Sequence, residues 1–184
     1  MNELQLDPDL LMTLQVLETH RVEFVLVGDV ADAIYNHGGF VSGVTIVPGG
    51  YGRNAERLMH ALDEIDAELG SAGRPDPRGL DWRRSELREI APCTFMTRYA
   101  DLEVDFQPAG TEGFRDLFQD ASRVQLAPGS KPHVASPDDL DRMEHAAAPP
   151  PVAPPALLPA ALAPEPPVWP EEDIRASIAD RVRY

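Results

Sequence analysis

Residues 21–38 read RVEFVLVGDVADAIYNHG, and this stretch carries the signal that decides the fold. Residues 22–27 form a nearly continuous run of β-branched and aromatic side chains, which is typical of a buried strand. The run stops at Gly28, and helical character follows until the glycine pair Gly38-Gly39. A buried strand that leads through a glycine turn into a helix favours an α/β architecture.

The segments around this stretch continue the alternation of helices and strands. Asp7-Pro8 predicts a helix start, because aspartate caps helices and proline suits the first helical turn. The later segments are assigned from hydrophobic spacing and turn residues. They are a strand over 41–47, a helix over 53–69, a loop over 70–79, a helical or irregular stretch over 81–90, an antiparallel hairpin from 93–99 and 101–107, a short helix over 111–121, short strands over 122–126 and 131–135, and a last helix capped by Ser136. The sequence therefore predicts an α/β (α+β) fold, in which helices flank a mixed β-sheet of five or six strands.

The proline distribution divides the chain into parts. Residues 146–170 hold 10 of the 19 prolines and eight alanines, which predicts an extended linker without a core of its own. We therefore expect a folded domain over residues 1–147, a Pro/Ala-rich linker over 148–170 and a short C-terminal amphipathic helix over 171–184. Trp169 is unusual in a solvated linker: either this segment packs on the domain or on a partner, or the tryptophan is a solitary exposed residue.

The charge excludes several classes of partner. The 184 residues include 16 basic and 31 acidic side chains, for a net charge of −15. General nucleic-acid binding and docking on anionic membranes need clustered Lys and Arg, so neither is expected. The sequence shows no signal-peptide pattern and no apolar run of the roughly 20 residues that a membrane helix needs. We expect a cytoplasmic protein that binds a protein partner or associates with itself.

Four segments resemble one known family in their order and spacing. They are residues 21–38, VSGVTIVP (41–48), TRYADLEVDFQPAGTEGFRDLFQDA (97–121) and HVASPDDLDRMEHAA (133–147). Together they are similar to the minimal nucleotidyltransferase superfamily, of the MNT/AbiEii-like type, over about residues 10–147. The resemblance implies transfer of a nucleoside monophosphate from a nucleoside triphosphate to a hydroxyl or similar acceptor, with two divalent metal ions.

The residues that the resemblance assigns to catalysis depart from the family pattern. The metal-binding Asp-x-Asp pair falls on Gly43 and Thr45, and neither is a carboxylate. Asp29 follows Gly28 in the nucleotide-binding turn, where the family has Gly or Ser. A carboxylate about 4 Å from a phosphate costs about 4 kcal/mol near a protein surface. Since the metal ions supply the main electrostatic stabilisation in the family, these departures from its pattern predict a domain that has lost catalysis, with Gly28, Asp29 and Thr45 as remnants of nucleotide binding.

An acidic strand leaves a second interpretation open. Asp101, Glu103 and Asp105 alternate along one predicted strand and so share one face. The resemblance assigns the third metal-binding carboxylate to Glu103 or, with a two-residue shift, to Asp105, and it brings Asp29 nearby. These residues either form a remodelled metal site, which would need Mg²⁺, or are the water-facing acids of a half-exposed strand, for which no cofactor is expected. Glu103 and Asp105 are the candidate metal ligands, and Asp29 joins them as a candidate catalytic remnant.

Three functions remain compatible with the sequence. The first is a nucleotidyltransferase-fold protein that has lost catalysis and acts as a binding, regulatory or assembly module. The second is an active nucleotidyltransferase with the remodelled site, and the third is a protein-interaction module that acts through the proline-rich tail. Three weaker candidates remain. An arginine cluster over residues 74–88 either binds a phosphate or an acidic partner or forms a solvated face, and His37 is either an acid–base group or a helix-end residue. We expect Cys93 to be a buried strand residue.

Overall fold

Six helices and eight strands make up the part of the chain that this computed structural model describes, which is residues 6–36, 41, 43–71, 73–76, 81–84 and 86–147. The helices are α1 Pro8–Thr19, α2 Gly28–Asn36, α3 Gly52–Glu64, α4 Leu87–Ile90, α5 Phe114–Asp120 and α6 Pro137–Ala147. The strands are β1 Phe24–Val27, β2 Gly43–Pro48, β3 Glu68–Ser71, β4 Arg74–Pro75, β5 Cys93–Met96, β6 Asp101–Val104, β7 Ser122–Arg123 and β8 His133–Val134. A 3-10 turn at Trp82–Arg84 precedes α4.

The strands form one mixed sheet in the order β4-β3-β5-β6-β2-β1-β8-β7. The β1–β8 and β2–β6 pairs are parallel, whereas β1–β2 and the remaining neighbours are antiparallel. This arrangement confirms the predicted mixed α/β class and the predicted β5–β6 hairpin. The described part contains eight strands, two more than the upper limit of six that the sequence predicted. The additional strands are β3 and β4, in a segment that was expected to hold a helix end and a loop.

The core lies against the inner strands. All four residues of β1 are buried, as the apolar run over residues 22–27 predicted. Leu14 and Leu17 of α1 and Leu58 and Leu62 of α3 are fully buried in the same hydrophobic cluster. Burial of these helix faces against the sheet stabilises the domain, at about 25 cal/mol for each Å² of apolar surface removed from water.

Helix α3 is shorter than the sequence predicted. It ends at Glu64, with Ile65 as its C-cap, and not at position 69. The backbone of Asp66 has φ 52°, in the left-handed region, which stops the helix. Leu69 is buried, and it lies in β3 opposite Phe95. Pairing with the open edge of β5 outweighs the helical pattern of this segment, which is a tertiary effect.

Two predicted helix starts are confirmed by their hydrogen bonds. The Asp7 carboxylate accepts from the backbone N–H of Asp9 at 2.9 Å at the start of α1. At the start of α6, the N–H of Asp139 donates to Ser136 Oγ at 3.2 Å, and Ser136 Oγ donates to the Asp139 carboxylate at 2.8 Å. Such caps satisfy backbone donors that the first helical turn leaves free.

Several predictions fall beyond the described residues. The linker over 148–170 with its Trp169, the helix over 171–184 and His37 all lie outside them. Cys93 is buried in β5, as expected. Within the described part of the chain, no helix combines the length and the hydropathy of a membrane span.

Candidate functional site

A cavity of about 580 Å³ lies where the first turns of α1 and α2 meet the first residues of β2 and β6. We call it the acidic cavity, because carboxylates dominate the polar side chains that line it. The polar side chains from the described residues on its wall are those of Asp7, Asp9, Asp29, Thr45, Thr94, Tyr99, Asp101 and Glu103.

The register of two parallel strands brings the predicted site residues together. Gly43 of β2 lies opposite Asp101 of β6, and Thr45 lies opposite Glu103. Residues in register on neighbouring strands share a face of the sheet, so all four line the cavity. The Thr45 hydroxyl donates to the Glu103 carboxylate at 3.3 Å. The hydroxyl is therefore engaged by the carboxylate beside it.

The turn before α2 packs closely on Thr45. Gly28 has φ 67°, and a Cβ atom at this position would come within 3.1 Å of the Thr45 hydroxyl oxygen. Glycine is required here both for the left-handed backbone and for the close approach. The next residue, Asp29, is exposed and lines the cavity from the first turn of α2. The Thr45 hydroxyl thus lies between the glycine turn and Glu103.

Gly43 leaves little room for a larger residue. A Cβ atom at this position would lie 3.0 Å from the carbonyl oxygen of Asp101 on the paired strand. That separation is tighter than ordinary van der Waals contact, so a carboxylate at position 43 would require β2 and β6 to shift relative to each other.

Asp105 does not line the acidic cavity. It follows the last residue of β6, its N–H donates to the Ile46 carbonyl at 3.1 Å, and its carboxylate accepts from the N–H of Gln107 at 2.9 Å. The structure therefore brings Asp29 and Glu103 into one cavity but does not bring Asp105 there.

The residues present do not fit the two-metal centre that the resemblance implies. Magnesium requires oxygen ligands in near-octahedral geometry. Gly43 supplies no side-chain ligand, and Thr45 supplies only a neutral hydroxyl that is bonded to Glu103. Among the residues that the structure describes, no group of three His, Cys, Asp or Glu side chains could hold a metal ion.

The charge around the cavity is strongly negative. Five carboxylates line it, and none of the described lining residues is Lys, Arg or His. The acidic field extends along α2, where Asp32 has a raised pKa because of burial and, to a smaller extent, the nearby carboxylates of Asp29, Glu144 and Asp141. A phosphate group that entered this cavity would be repelled, by about 4 kcal/mol for each carboxylate at 4 Å near a protein surface.

The arginine cluster is divided among separate contacts. Arg83 forms an ion pair with Asp63 at 2.8 Å and stacks on Trp82, with its guanidinium carbon 4.4 Å from the ring centroid. Arg88 donates to the Gly50 carbonyl at 3.3 Å, while Arg74 is exposed on β4. Arg78 and the side chain of Arg84 lie outside the described part.

Sequence reasoning missed two of the acids in the cavity. Asp7 and Asp9 belong to the capped start of α1, 20 or more positions away from the other acids that line the cavity. The cap pattern identified the helix start, but it contained no information on what that helix end faces.

Comparisons with known proteins identify no family. No family model matches the sequence, and no curated protein matches it either. The resemblance to nucleotidyltransferases therefore depends on the four segments quoted above, whereas the fold class and the cavity geometry depend on the structure.

Proposed function

We propose that the chain is a nucleotidyltransferase-fold protein that has lost metal-dependent nucleotidyl transfer and acts as a binding, regulatory or assembly module. The observation that carries this proposal is the pairing of Gly43 with Asp101 and of Thr45 with Glu103. The resemblance assigns two metal-binding carboxylates to positions 43 and 45. One of these positions has no side chain, and the other holds a hydroxyl that donates to Glu103.

The electrostatics support the loss of triphosphate chemistry. In nucleotidyl transfer, divalent ions offset the charge of the triphosphate and clamp the attacking and leaving oxygens. In this chain the described lining of the cavity adds five carboxylates and no basic group. Without ions to offset them, these carboxylates oppose the entry of a triphosphate.

The binding role involves a protein partner or a second copy of the chain. The net charge of −15 argues against general nucleic-acid binding. Light scattering on the full chain tests self-association, and a monomer at all concentrations would leave only a separate protein partner. Deletion of residues 148–184 tests the tail: if self-association and partner capture are unchanged, the interaction-module hypothesis for the tail is rejected.

Thermal melting with nucleotides tests the loss of catalysis. The full chain is heated with Mg²⁺ or Mn²⁺ and each of ATP, GTP, CTP and UTP, and every sample is repeated with EDTA in place of the metal. A ligand at 100 times its Kd stabilises by about 2.7 kcal/mol, which raises the Tm by about 5–10 °C. We expect no metal-dependent rise and no release of pyrophosphate.

Two variants separate the possible outcomes. Glu103→Gln removes a carboxylate from the acidic cavity, and Asp105→Asn removes one that lies outside it. A metal-dependent rise in Tm that Glu103→Gln abolishes would overturn the proposal and favour an active, remodelled site. If Asp105→Asn abolished it as well, the remodelled site would include Asp105 together with Glu103.

A further inference from the structure

A second cavity, of about 490 Å³, lies at the other end of α1 and β1. The acidic cavity is lined by the first turn of α1, whereas the second is lined by Glu18 near the end of that helix and by Arg21 beyond it. The 12 residues of α1 separate the two ends by about 18 Å, since a helix rises 1.5 Å per residue. The two cavities are therefore distinct.

The second cavity concentrates positive charge in an acidic chain. Its described lining includes four of the 16 basic residues and two acids, so its formal charge is positive although the chain carries −15. We call it the basic cavity. Its charged lining residues are Arg21, Arg57, Arg123, Lys131, Glu18 and Glu23.

In the described part of the chain, one of the four cations has an ionic partner, a second donates to a backbone carbonyl, and two have neither. Arg57 lies 3.5 Å from the Glu23 carboxylate, and its guanidinium also donates to the Arg21 carbonyl at 3.1 Å. Arg123 donates to the Lys131 carbonyl at 3.2 Å. Within the described part of the chain, the side chains of Arg21 and Lys131 form no ion pair. These two side chains can turn towards an anion without breaking an ion pair or a hydrogen bond to the described residues.

A buried acceptor in the same cavity lacks a donor. Glu18 Oε1 accepts from the backbone N–H of Lys131 at 3.0 Å. Glu18 Oε2 is buried and has no hydrogen-bond partner among the described residues. An unpaired buried carboxylate oxygen is costly, because it has lost water without gaining a donor. Because this oxygen is closed to water, a ligand hydroxyl reaches it only after the Glu18 side chain turns towards the cavity.

Aromatic rings form one wall of the cavity. Phe118 is 42% exposed, although large apolar side chains are normally buried. Its ring centroid lies 4.6 Å from that of His133 and 5.1 Å from that of Phe114. Burial and, secondarily, the Arg123 guanidinium lower the pKa of His133, which favours the neutral ring. The wall thus offers a π-face for a planar ring beside a group of cations.

We propose that the basic cavity binds a small phosphate monoester that carries hydroxyl groups and a planar ring, of which a nucleoside monophosphate is the simplest example. Arg21 and Lys131 bind the phosphate, Phe118 stacks on the ring, and the Glu18 carboxylate accepts from a hydroxyl once its side chain turns into the cavity. The volume falls within the range of about 300–1,000 Å³ that is usual for small-molecule sites. The inference does not depend on the loss of nucleotidyl transfer, because it concerns other residues and needs no metal.

Calorimetry on the full chain in EDTA tests the ligand class. The probes are AMP, ribose 5-phosphate, adenosine and inorganic phosphate. We expect saturable binding of AMP, weaker binding of ribose 5-phosphate, and binding of adenosine that is weaker than that of AMP by about tenfold or more, since charge-assisted hydrogen bonds to the phosphate are lost. Equal affinity for adenosine and AMP would overturn the phosphate assignment. Binding of inorganic phosphate alone, or of no probe, would overturn the proposal.

Variants assign the binding to this cavity. Lys131→Gln is expected to weaken the binding of AMP about tenfold. The matched control is Arg53→Gln, which removes the same charge from an exposed position of α3 that lines neither cavity, and it should leave the affinity unchanged. Phe118→Leu should weaken the binding of AMP but not that of ribose 5-phosphate. Equal effects of Lys131→Gln and Arg53→Gln would refute the proposed site. AMP binding that Glu103→Gln abolishes would instead place the ligand in the acidic cavity.

Discussion

Replacement of Asn54 by alanine tests the link between β1 and β2 most directly. Asn54 is fully buried in α3, although its side chain is polar. Its Oδ1 accepts from the N–H of Glu23 at 2.7 Å, and its Nδ2 donates to the carbonyls of Glu23 at 2.8 Å and of Gly49 at 2.9 Å. The side chain therefore joins the chain just before β1 to the chain just after β2.

The expected cost follows from what Asn54→Ala leaves unpaired. The Glu23 carbonyl keeps a second donor, the N–H of Gly49 at 2.9 Å. The Glu23 N–H and the Gly49 carbonyl lose the partner that Asn54 provides. Three hydrogen bonds at about 1 kcal/mol each predict a loss of about 3 kcal/mol in the free energy of unfolding. Such a loss is a large fraction of the ~5–15 kcal/mol by which domains are stable, and it lowers the Tm by about 10 °C.

Urea denaturation, followed by circular dichroism, measures this loss. The matched control is Asn36→Ala, at the exposed end of α2, which should change stability by less than about 0.5 kcal/mol. Asn54→Asp keeps the size and one acceptor but sets a carboxylate against two carbonyls. At pH 7, Asn54→Asp should lower the free energy of unfolding at least as much as Asn54→Ala does. In acid the loss should be smaller, because the protonated carboxyl can donate a hydrogen bond. A loss below about 1 kcal/mol for Asn54→Ala would refute the assigned role of the hydrogen bonds.

Three further substitutions test other contacts. Asp32→Asn should raise the Tm at pH 7, because the pKa of Asp32 in the folded state lies above 3.8 and its ionised form therefore destabilises the fold. The gain in Tm should shrink as the pH falls through the folded-state pKa and vanish below 3.8. Melting curves at low ionic strength between pH 4 and 7 check this, and a lower Tm at pH 7 would contradict it. Thr45→Asp should lower the Tm, because it places a carboxylate directly opposite Glu103. Mg²⁺ should restore part of the lost Tm, and a Tm that is the same with and without Mg²⁺ would count against cation binding at this position. Gly113→Ala should lower the free energy of unfolding by about 2 kcal/mol or more, because φ is 87° and a Cβ atom would lie 2.4 Å from the Phe106 carbonyl oxygen. Urea denaturation measures this loss, and an unchanged denaturation midpoint would contradict the predicted strain.

Local signals in the sequence were sufficient for most elements of the fold. The caps at Asp7 and Ser136 and the apolar run of β1 depend on neighbouring residues, so they can be recognised without knowledge of the tertiary structure. The same holds for the alternation that predicted the β5–β6 hairpin. The family resemblance also implied that Asp29 and Glu103 lie close together, and both line the acidic cavity.

Other features depend on pairings between distant segments. The helical pattern over residues 53–69 does not reveal that Leu69 pairs with Phe95, because the edge of β5 that it joins is formed by residues more than 20 positions later. Asp105 shares the alternation of Glu103, yet it lies beyond the end of β6 and outside the acidic cavity. The sequence pattern specifies the face of a strand, but it does not specify where the pairing ends.

The two cavities mark the boundary between what the sequence and the tertiary structure determine. From the sequence alone, the chain was known to be acidic overall, with a net charge of −15 and an arginine cluster over residues 74–88. The structure separates this charge: Asp7, Asp29 and Glu103 meet at one end of α1, while Arg21 and Lys131 meet at the other. Composition sums charges regardless of position, whereas electrostatic energy depends on the distances between them, and only the folded chain determines those distances.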